Sequence, residues 1–217
     1  MQQSQDVCKQ RPVVDYYFSF ISLWSYVGSL VFREMIERHD IEVNYKPIDL
    51  LATFAVGGGL PVKERAFQRQ AYRLVEMQRW REIRGIPLVL HPRYYPVDPE
   101  LGHRMLLAAL ERGENVGLFV HAALKAVWAD ELNIADPDTL VSLADASGLD
   151  GTSLLQAAAN PAFAGRSSEL TDEAIARKVF GAPFYFYRDE PFWGQDRLDM
   201  LDSAVASGRQ PVRFLDP

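Results

Sequence analysis

The sequence predicts an α/β fold: a small mixed sheet whose two halves are separated by a large all-helical insertion. Three observations predict it. A β-branched and aromatic run at residues 13–18 is followed by a helical stripe and then by a second alternating run, so the chain opens β-α-β. From residue 60 to residue 160 the apolar residues recur only at helical spacing. Strand signals return only near the end, as two short aromatic runs ahead of a last helix.

Each element has its own reason. After the first strand, Trp24, Val27, Leu30, Val31, Met35 and Ile36 stand three or four apart, which predicts a helix ending near His39 and Asp40. Residues 41–46 alternate at period two, and Pro47 stops them. The glycines 57–59 lack the Lys-Ser/Thr ending of a phosphate loop and read as a flexible loop. Pro61 then opens a long helical pattern through Phe67, Ala71, Leu74, Val75, Met77 and Trp80, ending near Gly85. Beyond a loop holding Pro87, Pro92 and Pro96, helices are expected near 99–112 and 115–129, with further starts at Asp136-Pro137 and Thr152. Thr171-Asp172-Glu173 is expected to cap a helix through Ile175 and Val179, stopped by Gly181. Residues 184–187 and 191–193 flank Arg188-Asp189-Glu190 as a hairpin, and a final helix starts at Gln195-Asp196 and ends before Gly208. This order is that of a thioredoxin-like sheet, residues 11–59 and 161–217, with residues 60–160 as an inserted helical domain.

Composition narrows the function. The chain has 217 residues, 48% hydrophobic, with 23 basic side chains against 29 acidic and a net charge of −6. An acidic balance gives no electrostatic reason to expect nucleic acid or an anionic membrane as partner. No apolar run approaches the ~20 residues of a membrane span, and the polar first ten residues lack the apolar core of a secretory signal, so cytoplasmic residence is the expectation. The single cysteine, Cys8, excludes a dithiol redox pair and a cysteine zinc site, and the four histidines have no ligand spacing. No metal is expected. Any thiol chemistry must borrow its sulfur.

Three places could carry chemistry. Ser22-Leu23-Trp24-Ser25 lies where the first strand feeds a helix N-terminus, whose unpaired N–H groups favour an anion; read alone, Ser22 is a helix cap. Gly181-Ala182-Pro183 precedes a strand, where a cis proline would present the Ala182 backbone to an extended peptide, and a trans proline would merely start an edge strand. Gly194-Gln195-Asp196 opens the last helix. There Asp196 either complements the helix dipole or accepts from an ammonium whose carboxylate the helix N–H groups hold. A hydrolase is poorly supported, because there is no G-x-S-x-G elbow and Ser22 has no His-Asp pair.

Together these segments resemble the 2-hydroxychromene-2-carboxylate isomerases and the related kappa-class glutathione transferases, within the disulfide-oxidoreductase (DsbA-like) branch of the thioredoxin fold. The resemblance covers residues 13–206 and is most specific at 16–26 and 179–201, which include Phe-Gly-Ala-Pro and Phe-Trp-Gly-Gln-Asp-Arg-Leu. It implies glutathione as cofactor, with Ser22 as the catalytic residue that hydrogen-bonds its sulfur and Ser25 as a structural cap. Ala182 and Pro183 would pair with the cysteinyl backbone, Gln195 and Asp196 would bind the γ-glutamyl end, and Arg69 would match the basic residue for the glycine carboxylate. Trp24, Phe54 and Tyr95 would line the pocket of a small aromatic substrate. Two departures stand out: Leu23 replaces the family's proline, and Gly59-Leu60-Pro61 lacks its asparagine. The implied reaction is isomerisation of an unsaturated aromatic 2-oxo acid in aromatic catabolism, by a homodimer. A kappa-like transferase or peroxidase, or a thioredoxin-like binding protein without catalysis, are the alternatives.

Overall fold

The computed structural model describes residues 11–215, so Cys8 and the polar N-terminal stretch lie outside the described residues. Strand β1 (Val13–Phe18) is followed by α1 (Leu23–His39) and β2 (Glu42–Pro47), as the sequence predicts. The hairpin β3 (Phe184–Tyr187) and β4 (Glu190–Trp193) completes one sheet in the order β2-β1-β3-β4. β2 runs parallel to β1, whereas β3 and β4 are antiparallel to their neighbours. A β-α-β half and a β-β half thus meet along β1 and β3.

The alternation of β1 divides the core. Tyr16 stacks on Tyr185 of β3 at 5.0 Å between ring centres and on Phe18 at 4.6 Å, on the face that meets α1 and the helical insertion. Tyr17 points the other way and packs with Ile48, Ala174, Val179, Phe184 and Phe186. Between β2 and β3 lie α2 (Leu50–Gly57), α3 (Phe67–Arg84), α4 (Glu100–Glu111), α5 (Gly117–Trp128), α6 (Pro137–Ala146), α7 (Gly151–Ala158) and α8 (Pro161–Ala176). Leu106, Phe119 and Trp128 from this block share one continuous core with Tyr16 and Phe18. After the hairpin come a 3-10 turn at Gln195–Arg197 and α9 (Leu198–Ser207).

One element is added and three local expectations are corrected. Residues 50–57 form α2, because Asp49 caps Leu51 and Ala52 N–H at 2.8 and 3.1 Å. Gly57 closes that helix against Phe180, and Gly58 ends it at φ +73°, so the glycine run is a helix stop, not a flexible loop. Pro61 opens only a 3-10 turn, Val62–Glu64; extended backbone at Arg65 delays α3 to Phe67. Thr171 caps nothing: it lies inside α8, its hydroxyl donates to Ser167 O, and the true cap is Asn160. Among the described residues no helix is long and apolar enough to cross a membrane.

One glycine fixes how α1 meets the tail. A Cβ on Gly28 would stand 2.7 Å from Gln195 Cβ and 3.3 Å from Leu198 Cδ1. Gly28→Ala is therefore expected to destabilise the protein by about 1–3 kcal/mol in urea unfolding despite alanine's better helix propensity, because overpacking outweighs the latter.

Candidate active site

Ser22 sits at the joint of the two half-sheets. The β1–α1 connection turns tightly, with Ser22 N–H donating to Ser19 O at 2.9 Å, and Ser22 takes the extended conformation of an N-cap. Its Oγ accepts the Ser25 N–H at 3.2 Å and donates to Ala182 O at 3.2 Å. Ser22 rather than Ser25 is therefore the cap; Ser25 is fully buried within α1 and caps nothing. Ser22 itself is 4% exposed. Leu23 and Trp24 N–H, in the first turn, have no helical acceptor, leaving the positive end of a seventeen-residue helix beside that hydroxyl.

The Ala182-Pro183 peptide bond is cis, one of the two isomers the sequence leaves open, and Pro183 O accepts the Gly194 N–H at 2.9 Å. This places the start of β3 against the residues that precede Gln195. Among the described residues Ala182 N–H reaches no backbone carbonyl.

The third segment differs from expectation. Gln195 and Asp196 open a three-residue 3-10 turn that leads directly into α9, whose α-helical part begins only at Leu198. Gly194 takes φ +96°, and Asp196 Oδ1 crowds the place its Cβ would occupy. Asp196 is exposed and paired with Arg197 at 2.7 Å. Gln195 is buried and held by Arg84, whose Nη2 donates to Gln195 Oε1 at 2.8 Å. With its oxygen so occupied, Gln195 presents its amide N–H₂ as the remaining polar group. Arg84 itself lies 5.0 Å over Trp80.

The remaining expected residues are spread along the insertion. Phe54 on α2 packs beside Gly59 and under Arg65, whose guanidinium lies 5.6 Å from its ring. Tyr95 packs tilted against Trp128 at 4.6 Å between ring centres, and Arg73 lies 5.8 Å over it. Arg69 is exposed at the start of α3 and interacts electrostatically with Arg65. Trp24 is half-buried against the main core. Contacts link the two regions: Gly181 lies against Trp193, Trp193 packs on Phe180 at 4.6 Å, and Phe180 touches Gly57 one turn beyond Phe54.

Sequence reasoning missed Arg65, Arg73, Arg84 and His103. The four-residue spacing of Arg65, Arg69 and Arg73 was a visible signal; Arg84 and His103 offered none. His103 on α4 is fully buried, and its Nε2 accepts the Phe20 N–H at 3.3 Å, with Ser19 Oγ 3.5 Å away. The insertion thereby grips the turn that carries Ser22. Accepting from a backbone N–H requires an unprotonated Nε2, and burial pushes the ring's pKa down to about 3. Among the described residues no cluster of three or more metal-ligating side chains occurs.

The chain matches the model of the DSBA-like thioredoxin domain over residues 13–206. It is 33% identical over 204 residues to a 2-hydroxychromene-2-carboxylate isomerase of Pseudomonas sp. (strain C18), covering 92% of each chain. It is 30% identical to the enzyme of that name from Sphingobium xenophagum, over 88% of this chain and 96% of the other. A solved 2-hydroxychromene-2-carboxylate isomerase superposes with a TM-score of 0.76 at 30% identity, covering 90% of this chain and 95% of that one. A probable DsbA oxidoreductase from Streptomyces coelicolor shares the fold, at a TM-score of 0.70, 20% identity and 94% coverage of each chain.

A neutral buried histidine makes stability depend on pH. The unfolded ring takes its proton near pH 6.5, whereas the folded ring takes it only near 3, so unfolding binds a proton in between and stability falls on acidification through that window. His103→Gln is expected to remove up to about 1.4 kcal/mol of that loss per pH unit. Urea midpoints of both proteins between pH 6.5 and 4.5 check this, with the difference in slope isolating His103 from the similarly depressed His121.

Proposed function

Because the chain belongs to the DsbA-like thioredoxin-domain family, and within it to the family of the 2-hydroxychromene-2-carboxylate isomerases, we propose that it is a glutathione-dependent isomerase of an unsaturated aromatic 2-oxo acid. The observation that carries this reading is the Ser22 hydroxyl, capping α1 and 3.2 Å from the carbonyl that precedes the cis proline. Bound glutathione would supply the nucleophilic thiolate for a reversible addition to the carbon β to the ketone, which would let the former double bond rotate before the thiolate leaves again, and Ser22, Ala182, Gln195 and Asp196 would hold it.

The residues present fit a tripeptide thiol. Ala182 offers a backbone N–H that, among the described residues, has no backbone partner, and a carbonyl, the pair an extended peptide needs. Ser22 can turn its one proton from Ala182 O to a neighbouring sulfur while Oγ still caps Ser25 N–H. Gln195 N–H₂, held in orientation by Arg84, faces an acceptor such as the γ-glutamyl carboxylate, and Asp196 can exchange Arg197 for its ammonium. The magnitudes suffice. Lowering a thiol from about 8.5 by two units takes about 2.7 kcal/mol. A hydrogen bond to a charged atom contributes ~1.5–3 kcal/mol and a partly buried helix N-terminus up to ~2. Ser22 acts as a donor, so it needs no base.

Ser22→Ala decides the matter. Glutathione should still bind, the titration midpoint of its thiol, followed by thiolate absorbance, should rise by about one to two units, and isomerisation of 2-hydroxychromene-2-carboxylate should fall with it. An unchanged midpoint would sink the donor role.

A further inference from the structure

One edge of the sheet carries backbone groups that nothing in the fold pairs. β2 stands last in the order β2-β1-β3-β4, and its bonds to β1 fix which of its groups face outward. Glu42 N–H donates to Pro12 O at 2.8 Å and Ile48 N–H to Phe18 O at 2.8 Å, so the even-numbered residues turn their backbone groups toward β1. Val43 and Tyr45 therefore turn theirs away from the sheet, and among the described residues these N–H and C=O groups meet no protein partner. Pro47 closes the edge, having no N–H to offer.

A groove of about 670 Å³ runs along this edge. That volume lies within the ~300–1,000 Å³ of ligand sites. Leu107 and Leu110 of α4 and Phe163 and Leu170 of α8 line it with apolar surface. Its charges are unevenly matched. Lys46 pairs with Glu173 at 2.6 Å and Arg166 with Glu169 at 3.0 Å. The Glu111 carboxylate meets no cation or donor among the described residues, and Arg112 beside it is turned to Ser153 Oγ at 3.1 Å. Glu111 is also the last residue of α4, where the helix dipole adds negative potential.

We propose that the β2 edge and its groove bind an extended segment of another polypeptide in which apolar residues alternate with basic ones. Strand addition would satisfy the outward groups of Val43 and Tyr45, and the segment's residues opposite them would share their face of the sheet. Tyr45 looks toward Tyr16, 6.0 Å away between ring centres, and packs on the core that includes Leu107, so apolar side chains suit those positions. A basic side chain would answer Glu111. A second copy of this edge would bring its own α4 and α8 into the same space, whereas a single extended chain brings only side chains. No lining residue of the groove belongs to the Ser22 site, so the proposal stands apart from the isomerase reading.

Fluorescence anisotropy with fluorescein-labelled pentapeptide amides tests this. The probes are Ile-Lys-Val-Lys-Ile, its analogue with both lysines replaced by glutamate, and the lysine peptide N-methylated at the central valine. Wild type should bind the lysine peptide about fivefold or more tighter than the glutamate one, because the charge contact is exposed. N-methylation, which removes a donor facing β2, should cost about tenfold. Val43→Pro removes an outward donor of an edge strand and should weaken binding by about tenfold as well. Glu111→Lys should invert the charge preference, and its exposed position keeps the test decisive should Val43→Pro not fold. Saturating glutathione should leave the affinity unchanged. The proposal is overturned if the lysine peptide does not bind at millimolar concentration, if its preference survives Glu111→Lys, if N-methylation costs nothing, or if glutathione competes. A wild-type dimer that becomes monomeric in Val43→Pro, read by light scattering, would also overturn it, by giving the edge to a second copy.

Discussion

One hydroxyl proton joins the halves of this protein. Ser22 and Ala182 lie 160 residues apart, yet the Ser22 hydroxyl donates to the Ala182 carbonyl while the same oxygen caps α1. Everything that shapes the site converges on keeping those two segments in register. A serine suits the task because it donates once and accepts twice, so it can serve the helix permanently and lend its proton elsewhere. His103 adds a grip from the insertion on the adjacent Phe20 N–H. An unpaired backbone N–H buried at that turn would cost about 1–3 kcal/mol, which is reason enough to hold an imidazole there in neutral form.

The sheet behind this joint is braced on both faces. On one, Tyr16 lies between Phe18 and Tyr185, with Phe32 of α1 tilted against it at 5.0 Å. On the other, Lys46 reaches Glu173 at 2.6 Å, and Arg177 donates to the Tyr17 hydroxyl at 2.9 Å. These polar links are partly buried and shared among several groups, so they fix geometry more than they add stability. The tail is tied down by Glu190, which receives Arg209 on both oxygens. The platform under Ser22 is thus held from above, from below and at its edge.

Helix α3 has a different character. Met77 is its one buried residue, and Phe67, Tyr72 and Ile83 stay exposed, so it contributes little to the core. Its polar contacts lie toward the ends: Arg84 holds Gln195 at one, and Arg73 lies 5.8 Å over Tyr95 toward the other. A helix so lightly packed and so rich in arginine fits a role as one wall of a cleft rather than as scaffold.

What could be read from the chain was local. The period-two runs that became β1 and β2, the stripe that became α1, and the cap and proline signals at Ser22 and Pro183 all lie within a few residues of the structure they specify. Where local signals compete, reading failed: Asn160 rather than Thr171 starts α8, because its side chain reaches a free N–H, and Pro61 opens only a 3-10 turn, α3 beginning after Ala66 with no side-chain cap. The 3-10 turn at Gln195, which packs closely on Gly28 of α1, has no separate signal in the sequence. The partners of Gln195, of His103 and of Arg73 depend on segments distant in sequence. Such pairings are settled by which surfaces a folded core brings together, and no spacing along one strand or helix encodes them. The sequence alone thus determined where an anion-favouring helix end stands and where a proline precedes the third strand; tertiary packing alone decided that this proline is cis and that Ser22 and Ala182 meet.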